Sequence, residues 1–461
     1  MADNIPQMQK GASNEEDQVA SVDDSGYYKV HWFRSTVFQV LVVGGVFFCV
    51  RTSGMYNALS SLGAGGLATP WYANATSAAG YGVYPKLYTS AELPVTYAGS
   101  LYLNSKNGTQ WFLMFGSIWS GMTDGLMYSV EGPIITSYPE SSRRGRMLGL
   151  WVFMRNAAPV IGGAIIFSLN HNTDSTGAVS LKTYLVIIGI MCAGPFIALL
   201  ISPPEKVQRK DGKRIVFRKT GWRQTATEFW KVVSSPNLLL FFPLFFTSWF
   251  YNSYIGTLET QYFDVRTRAL CAFVIPFADI SAGFACGCFM DNQRLSVKQR
   301  ARWAFGVIMT FNLALWIWTA IVTKQLEDAH PSIDWTSGSW FGKTFTLFFL
   351  FDAATMATQT MLYWVLSHMS DDFIVLSYMT GTLRGIECAG QAVAYGIKSS
   401  NTTDWLSIGF NIGLFVFSIP FAWRVIRKVG VVEFPQIYLH SAPEVAETQK
   451  TIVAGEKVDY A

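Results

Sequence analysis

Residues 303–323 read WAFGVIMTFNLALWIWTAIVT. Twenty-one positions pass without one Asp, Glu, Lys or Arg. About 20 apolar residues cross the hydrocarbon core of a bilayer as a helix. Helix is the form such a stretch takes there, because lipid offers backbone groups no partners. Similar stretches occupy roughly 111–137, 147–169, 183–201, 237–258, 269–290, 344–368, 374–397 and 405–423, which makes nine spans. A tenth apolar run, Val37 to Val50, precedes them. Pro133, Pro159, Pro195, Pro243, Pro276 and Pro420 interrupt several spans. They read as tolerated kinks or as hinges for rocking helices.

Composition agrees with this reading. Of 461 residues, only 14% are charged and 50% are hydrophobic, and the mean hydropathy is +0.25. A soluble chain carries about 25% charged residues, so this one could not cover its surface in water. A disordered protein, a fibrous repeat and a nucleic-acid module are excluded, leaving a polytopic helical membrane protein. The net charge of +4 steers no anionic partner. The six cysteines lie in or beside apolar runs and the five histidines never cluster. Neither a disulfide framework nor a metal pair emerges. HExxH, P-loop, GxSxG and Rossmann signatures are absent. We therefore expect no enzyme, no cofactor and no metal site.

Loop charge sets the topology. SYPESSRRGR (137–146), the stretch 202–235 with nine Lys/Arg against three acids, DNQRLSVKQRAR (291–302) and the end of the last span are basic. They alternate with poorly basic loops such as 170–180 and 399–404. Basic loops stay in the cytosol, which places both termini there. DVRTR (264–268) is the exception: it falls outside yet carries two arginines. The sequons at Asn107 and Asn401 fall on outer loops and are glycosylation candidates. No basic segment leads a short apolar core, so we expect no cleaved signal peptide. Five regions follow: a cytosolic tail (1–33), an N-terminal transmembrane bundle (34–201), a basic cytosolic loop (202–236), a C-terminal six-helix bundle (237–428) and a second tail (429–461).

The stretch 58–110 poses a parity problem. The first span runs outward and the span starting at Trp111 runs inward, so the chain between crosses twice or not at all. Only weak apolar stretches (71–84 and 92–103) are available, broken by Pro70, Pro85 and Pro94. Two full helices hardly fit at about 1.5 Å per residue. Two short helices, a re-entrant segment, or a missing helix would each resolve it, and the last is favoured.

An ordered set of segments resembles the uncoordinated-ninety-three-like family, a branch of the major facilitator superfamily, in its fungal form. They are CVRTSGMYNALSSLGAGG (49–66), YANAT (72–76), SYPESSRRGR with MLGLWVFMRNAAPVIGG (137–163), RKDGKRI (209–215), FDVRTRAL (263–270) and FDAA (351–354). The resemblance implies an all-α membrane protein of two pseudo-symmetric six-helix bundles, here with about 11–12 helices. It also implies a choice of roles, since the family includes an ion-channel regulatory subunit and a membrane chaperone for receptors. After YANAT the family pattern has a second helix, a basic loop and a third helix. Here that stretch is compressed to YGVYPKLYTSAELPVTYAGSLY (81–102), where the superfamily's gating motif usually sits.

Ionisable residues inside spans cost about 2.5–3.5 kcal/mol each on the translocon scale and face partners or cavities. Arg51, Asp124, Glu131, Arg155, Asp279, Asp352, Arg384 and Glu387 qualify. Asp124 and Glu131 are seven apart and share a helix face. Glu131 and Arg155 sit at matching depths, about 9 and 12 Å from the basic end, and are expected to form an ion pair. Asp279 and Asp352 lie about 15 and 14 Å deep. With Arg384 and Glu387 they give the C-terminal bundle three acids and one base, which suits a proton carrier or a cation site. Two functions follow: a secondary transporter of a small solute or ion, or a non-transporting regulator or trafficking chaperone of a membrane-protein partner. The lipid bilayer is a partner in either case.

Overall fold

A computed structural model describes residues 30–49, 95–121, 144–172, 180–202, 206–209, 222–290, 292, 294–370, 373–400, 403–432 and 434. The elements in chain order are α1 (Thr36–Cys49), α2 (Val95–Asn107), α3 (Arg144–Asn170), α4 (Leu181–Ala198) and α5 (Trp222–Val233). There follow the short helices α6 (Pro236–Leu239), α7 (Phe242–Thr247) and α8 (Asn252–Tyr262). The last five are long: α9 (Val265–Met290), α10 (Val297–Ala329), α11 (Ser339–Ser367), α12 (Phe373–Ser399) and α13 (Asp404–Ile426). Residues 110–121 are also helical. Among the described residues, β pairing is limited to two isolated bridges.

Each predicted span from 147–169 onward has a helix on it. Among the described residues, six stretches are long and apolar enough to cross a bilayer: 181–198, 236–262, 265–290, 297–329, 339–367 and 404–426. Their outward faces are apolar: Phe284 is 74% and Phe196 72% exposed, and Trp303, Val307, Ile317 and Ile321 also face outward. In water such a surface would aggregate, whereas in lipid it is the correct solvent. Local rules set the ends. α10 begins at a capping box, Ser296 with Gln299, and stops at His330 in the left-handed region, φ 42°, where the backbone turns away. Pro159, Pro195, Pro276 and Pro420 lie inside continuous helices. Pro243 lies in the first turn of α7, beside a break in its span.

In the N-terminal part, α1 packs on α3 and α4, and α2 packs on α4. Gln39 joins the end of the fourth helix to the first, accepting from the Ser202 backbone N–H at 2.7 Å. In the C-terminal part, α10 packs on α11 and α13, while α7 and α8 pack on α12. The two parts meet where α9 packs along α3. That crossing is tight: a Cβ on Gly163 would lie 2.2 Å from the Ala272 carbonyl oxygen, so the position admits only glycine at this spacing.

The compressed stretch is seen from its far side. Residues 50–94 lie outside the described ones. α2 is described over 13 residues from Val95, where the described residues resume, about 20 Å of helix at 1.5 Å per residue. Gly108 at φ 70° turns the chain into the helix starting at residue 110. Asn107 is exposed on that turn, while Asn401 lies outside the described residues.

Candidate functional site

The span 236–262 is not one regular α-helix, although Ser248 and Tyr251 keep right-handed helical backbone angles. Between α7 and α8, residues 248–251 run as turns. Ser248 N–H donates to Phe245, Phe250 to Thr247, and Asn252 to Trp249, each three residues back. The sequence here, FFTSWFYNSY (245–254), sets Thr, Ser, Asn and Ser among aromatics. Such hydroxyl and amide groups compete for backbone partners and loosen a helix.

The break delivers two side chains to two carboxylates. Ser248 Oγ lies 3.0 Å from Glu387 Oε1 and 2.9 Å from the Phe245 carbonyl oxygen, and its one hydrogen serves either acceptor. Tyr251 Oη donates to Asp352 Oδ1 at 3.2 Å, with its ring stacked on Phe351 at 5.4 Å. Glu387 is buried, and it also accepts from Gln359 Nε2 and, at 2.9 Å, from Arg384 Nη1. The Arg384 guanidinium lies 5.6 Å from the centre of the Tyr363 ring. Glu387 thus binds the broken span, α11 and α12 together. Asp352 is held by a neutral hydroxyl; among the described residues no basic side chain forms an ion pair with it. Asp279, on α9, lies within electrostatic reach of the same Tyr251. The four C-terminal candidates therefore gather around the broken span as two groups, Arg384–Glu387 and Asp279–Tyr251–Asp352.

The N-terminal candidates are placed differently. Asp124 and Glu131 lie outside the described residues, and Arg155 lies on α3 with its side chain undescribed. The Glu131–Arg155 pair therefore remains an expectation. Arg51 also falls outside them.

One buried pair escaped the sequence reading. Arg268 is fully buried and Glu259 nearly so. Arg268 lies in the field of Glu259 and of Tyr184, which comes from α4 across the junction of the two parts. Ending one span at residue 258 and starting the next at 269 makes Glu259 and Arg268 loop residues. In the DVRTR segment neither arginine is a free loop charge. Arg266 grips Asp334 with two parallel bonds of 2.6 and 2.7 Å. That grip, with hydrogen bonds from Thr336 and Thr267, holds the Asp334 carboxyl well below the usual carboxylate range. Phe263 and Ile333 bridge alongside it, with Ile333 N–H donating to Tyr262 and Asp264 N–H to Ile333.

Aromatic contacts across the junction lie at the same end. Phe167 of α3 stacks on Phe273 of α9 at 6.1 Å and lies 5.6 Å from Trp335. The opposite end carries Arg294, Lys298, Arg302 and Arg427, with Arg302 donating to the Arg427 carbonyl at 3.0 Å. Among the described residues, the two parts are closed against each other at the end away from this basic cluster.

Comparisons with known proteins agree with the fold. The family model described as Major Facilitator Superfamily matches residues 93–372. The Notoamide biosynthesis cluster protein O' of Aspergillus versicolor is 32% identical over 439 residues, covering 90% of this chain and 94% of the relative. UNC93-like protein 1 of Arabidopsis thaliana is 30% identical over 414 residues, covering 84% and 89%. Among solved structures, the xylose transporter XylE from E. coli in a partially occluded inward-open conformation superposes with a TM-score of 0.54 at 12% identity, covering 84% of this chain and 97% of that one.

Proposed function

Since the chain belongs to the UNC93-like branch of the major facilitator superfamily, we propose that it moves a small solute or ion across a bilayer by alternating access. The carrying observation is the break at 248–251, which aims Ser248 and Tyr251 at Glu387 and Asp352. Discontinuous spans with ionisable partners at mid-membrane are how carriers build sites without exposing backbone to lipid. Asp279, Asp352, Arg384 and Glu387 line or couple the path in this reading. The basic end faces the cytosol, as loop charge dictates, and the closed junction then lies on the outer side. A relative named for a biosynthesis cluster fits a small organic cargo.

The test is flux. Proteoliposomes of the full chain should take up candidate solutes down an imposed gradient. Asp352→Asn should reduce the rate at least tenfold while leaving folding intact by size exclusion. Equal rates for Asp352→Asn, Asp279→Asn and the parent would sink the coupling role of these acids.

One observation favours a second reading. The stretch 58–110 is compressed in sequence, in the region where the superfamily places its gate. A non-transporting regulator or trafficking chaperone needs no gate. Stable co-purification with one membrane-protein partner, with no flux for any solute tried, would favour that role.

A further inference from the structure

Inside the C-terminal part, between the broken span, α10, α11 and α13, lies a small cavity. Thr247, Asn312, Thr358 and Asn411 line it, together with the Ser248 and Tyr251 that touch the two carboxylates. It is set within one helical bundle, apart from the junction along α3 and α9.

The polarity of the wall is informative. Thr358 Oγ donates to the Ala354 carbonyl at 2.7 Å, and Thr247 Oγ donates to Pro243 or Leu244 at 3.1 Å. A hydroxyl has one hydrogen, so both oxygens are left as acceptors. Asn312 Nδ2 and Asn411 Nδ2 each donate to a carbonyl four residues back, at 2.9 Å. That anchoring leaves each Oδ1 as the acceptor end of its carboxamide. Behind the wall, Gln359 Oε1 is buried and accepts no hydrogen bond. Ser248 spends its hydroxyl hydrogen on Glu387 or the Phe245 carbonyl, and Tyr251 spends its own on Asp352. The region therefore holds a surplus of oxygen acceptors beside Asp352, with which no base among the described residues forms an ion pair.

We propose that this cavity binds a dehydrated monovalent cation of sodium size. Neutral hydroxyl and carboxamide oxygens with one nearby uncompensated carboxylate suit a single positive charge. Calcium or magnesium sites instead take their carboxylates directly into the coordination shell. No cysteine or histidine lines the cavity, which disfavours softer metals. Charge sets the preference for a cation over a water molecule, because Asp352 gains a counter-charge through the Tyr251 hydroxyl. The broken span makes the site responsive: filling it draws Thr247, Ser248 and Tyr251 toward α10 and α13.

The site does not depend on the transport reading, and its test does not use flux. The purified full chain would be melted in sodium, potassium, lithium or choline chloride at equal ionic strength and fixed pH. A ligand that binds only the folded state raises the melting temperature. Sodium should raise it by several degrees over choline, with potassium giving less. Asn411→Leu and Thr358→Val should abolish that increment, whereas Asn312→Asp, which adds a ligand charge at nearly constant volume, should enlarge it. Radiolabelled sodium binding to the same samples gives a second readout if one variant folds poorly. Equal melting temperatures in all four salts would overturn the proposal. So would an increment that survives both Asn411→Leu and Thr358→Val. A sodium increment without any solute flux would leave the site standing and remove the transporter.

Discussion

At the scale of single residues, most of the chemistry is carried by carboxylates in lipid, and their partners separate their roles. Glu387 accepts from Gln359 and Arg384, with the Ser248 hydroxyl in reach from a third element, so it is a structural knot. Asp352 has one neutral donor, so it can change protonation or bind a charge with little disruption. Glu387→Gln should therefore cost several kcal/mol of stability, on the order of 3, whereas Asp352→Asn should leave melting within about 1 kcal/mol; denaturant titration of both would check the contrast. Asp334 sets a different expectation. Its folded-state carboxyl titrates below the unfolded one, so its stabilisation is present above the ordinary carboxylate range and lost as pH falls through the depressed value. Asp334→Asn should cost about 2 kcal/mol at neutral pH and flatten the acid limb of a stability profile. Asp279, Asp352, Arg384 and Glu387 were legible in the sequence because a charge inside an apolar run is conspicuous. Glu259 and Arg268 were not, because each lies at a span boundary where pattern cannot tell buried from wet.

At the scale of elements, helix existence followed from apolar length, but helix continuity did not. The span 236–262 is apolar throughout, and nothing in its hydropathy marks 248–251 as turns. Only the cluster of Thr247, Ser248, Asn252 and Ser253 hints at a break. α2 shows the opposite limit: a stretch too polar and too short to be read as a span is nonetheless helical, ending at the Asn107–Gly108 turn. Close approach was also invisible, because glycine is common in all of these helices. Gly163 differs from its neighbours by the backbone facing it. Gly163→Ala should force α3 and α9 apart at a cost of about 1–3 kcal/mol, and the cysteine accessibility of residues on the facing surfaces should rise. Gly189→Ala, where a Cβ meets nothing within 4 Å, is the control and should change neither.

At the scale of the whole molecule, the spacing of spans and the loop charge lead us to expect two helical parts joined by a basic segment. Their relative disposition does not follow from these, since it depends on which end carries aromatic contacts across the junction. Phe167 and Trp335 sit on opposite sides of that closure. With cysteines at both positions, a short bifunctional thiol reagent should lock the parts and suppress uptake at least tenfold, with recovery on cleaving the linker. Unchanged flux in fully linked protein would mean that this junction does not open during turnover.

The place of the Gly163–Ala272 contact along α9 has a mechanical consequence. It lies seven residues from Val265 and eighteen from Met290, arms of roughly 10 and 27 Å at 1.5 Å per residue. A contact too close for a side chain is a natural fulcrum. A rigid rotation of about 15° around it would shift the clasped end by roughly 3 Å and the basic end by roughly 7 Å. The molecule is geared: parting the Phe167–Trp335 contact by little more than a bond length or two swings the basic mouth through the width of a small sugar.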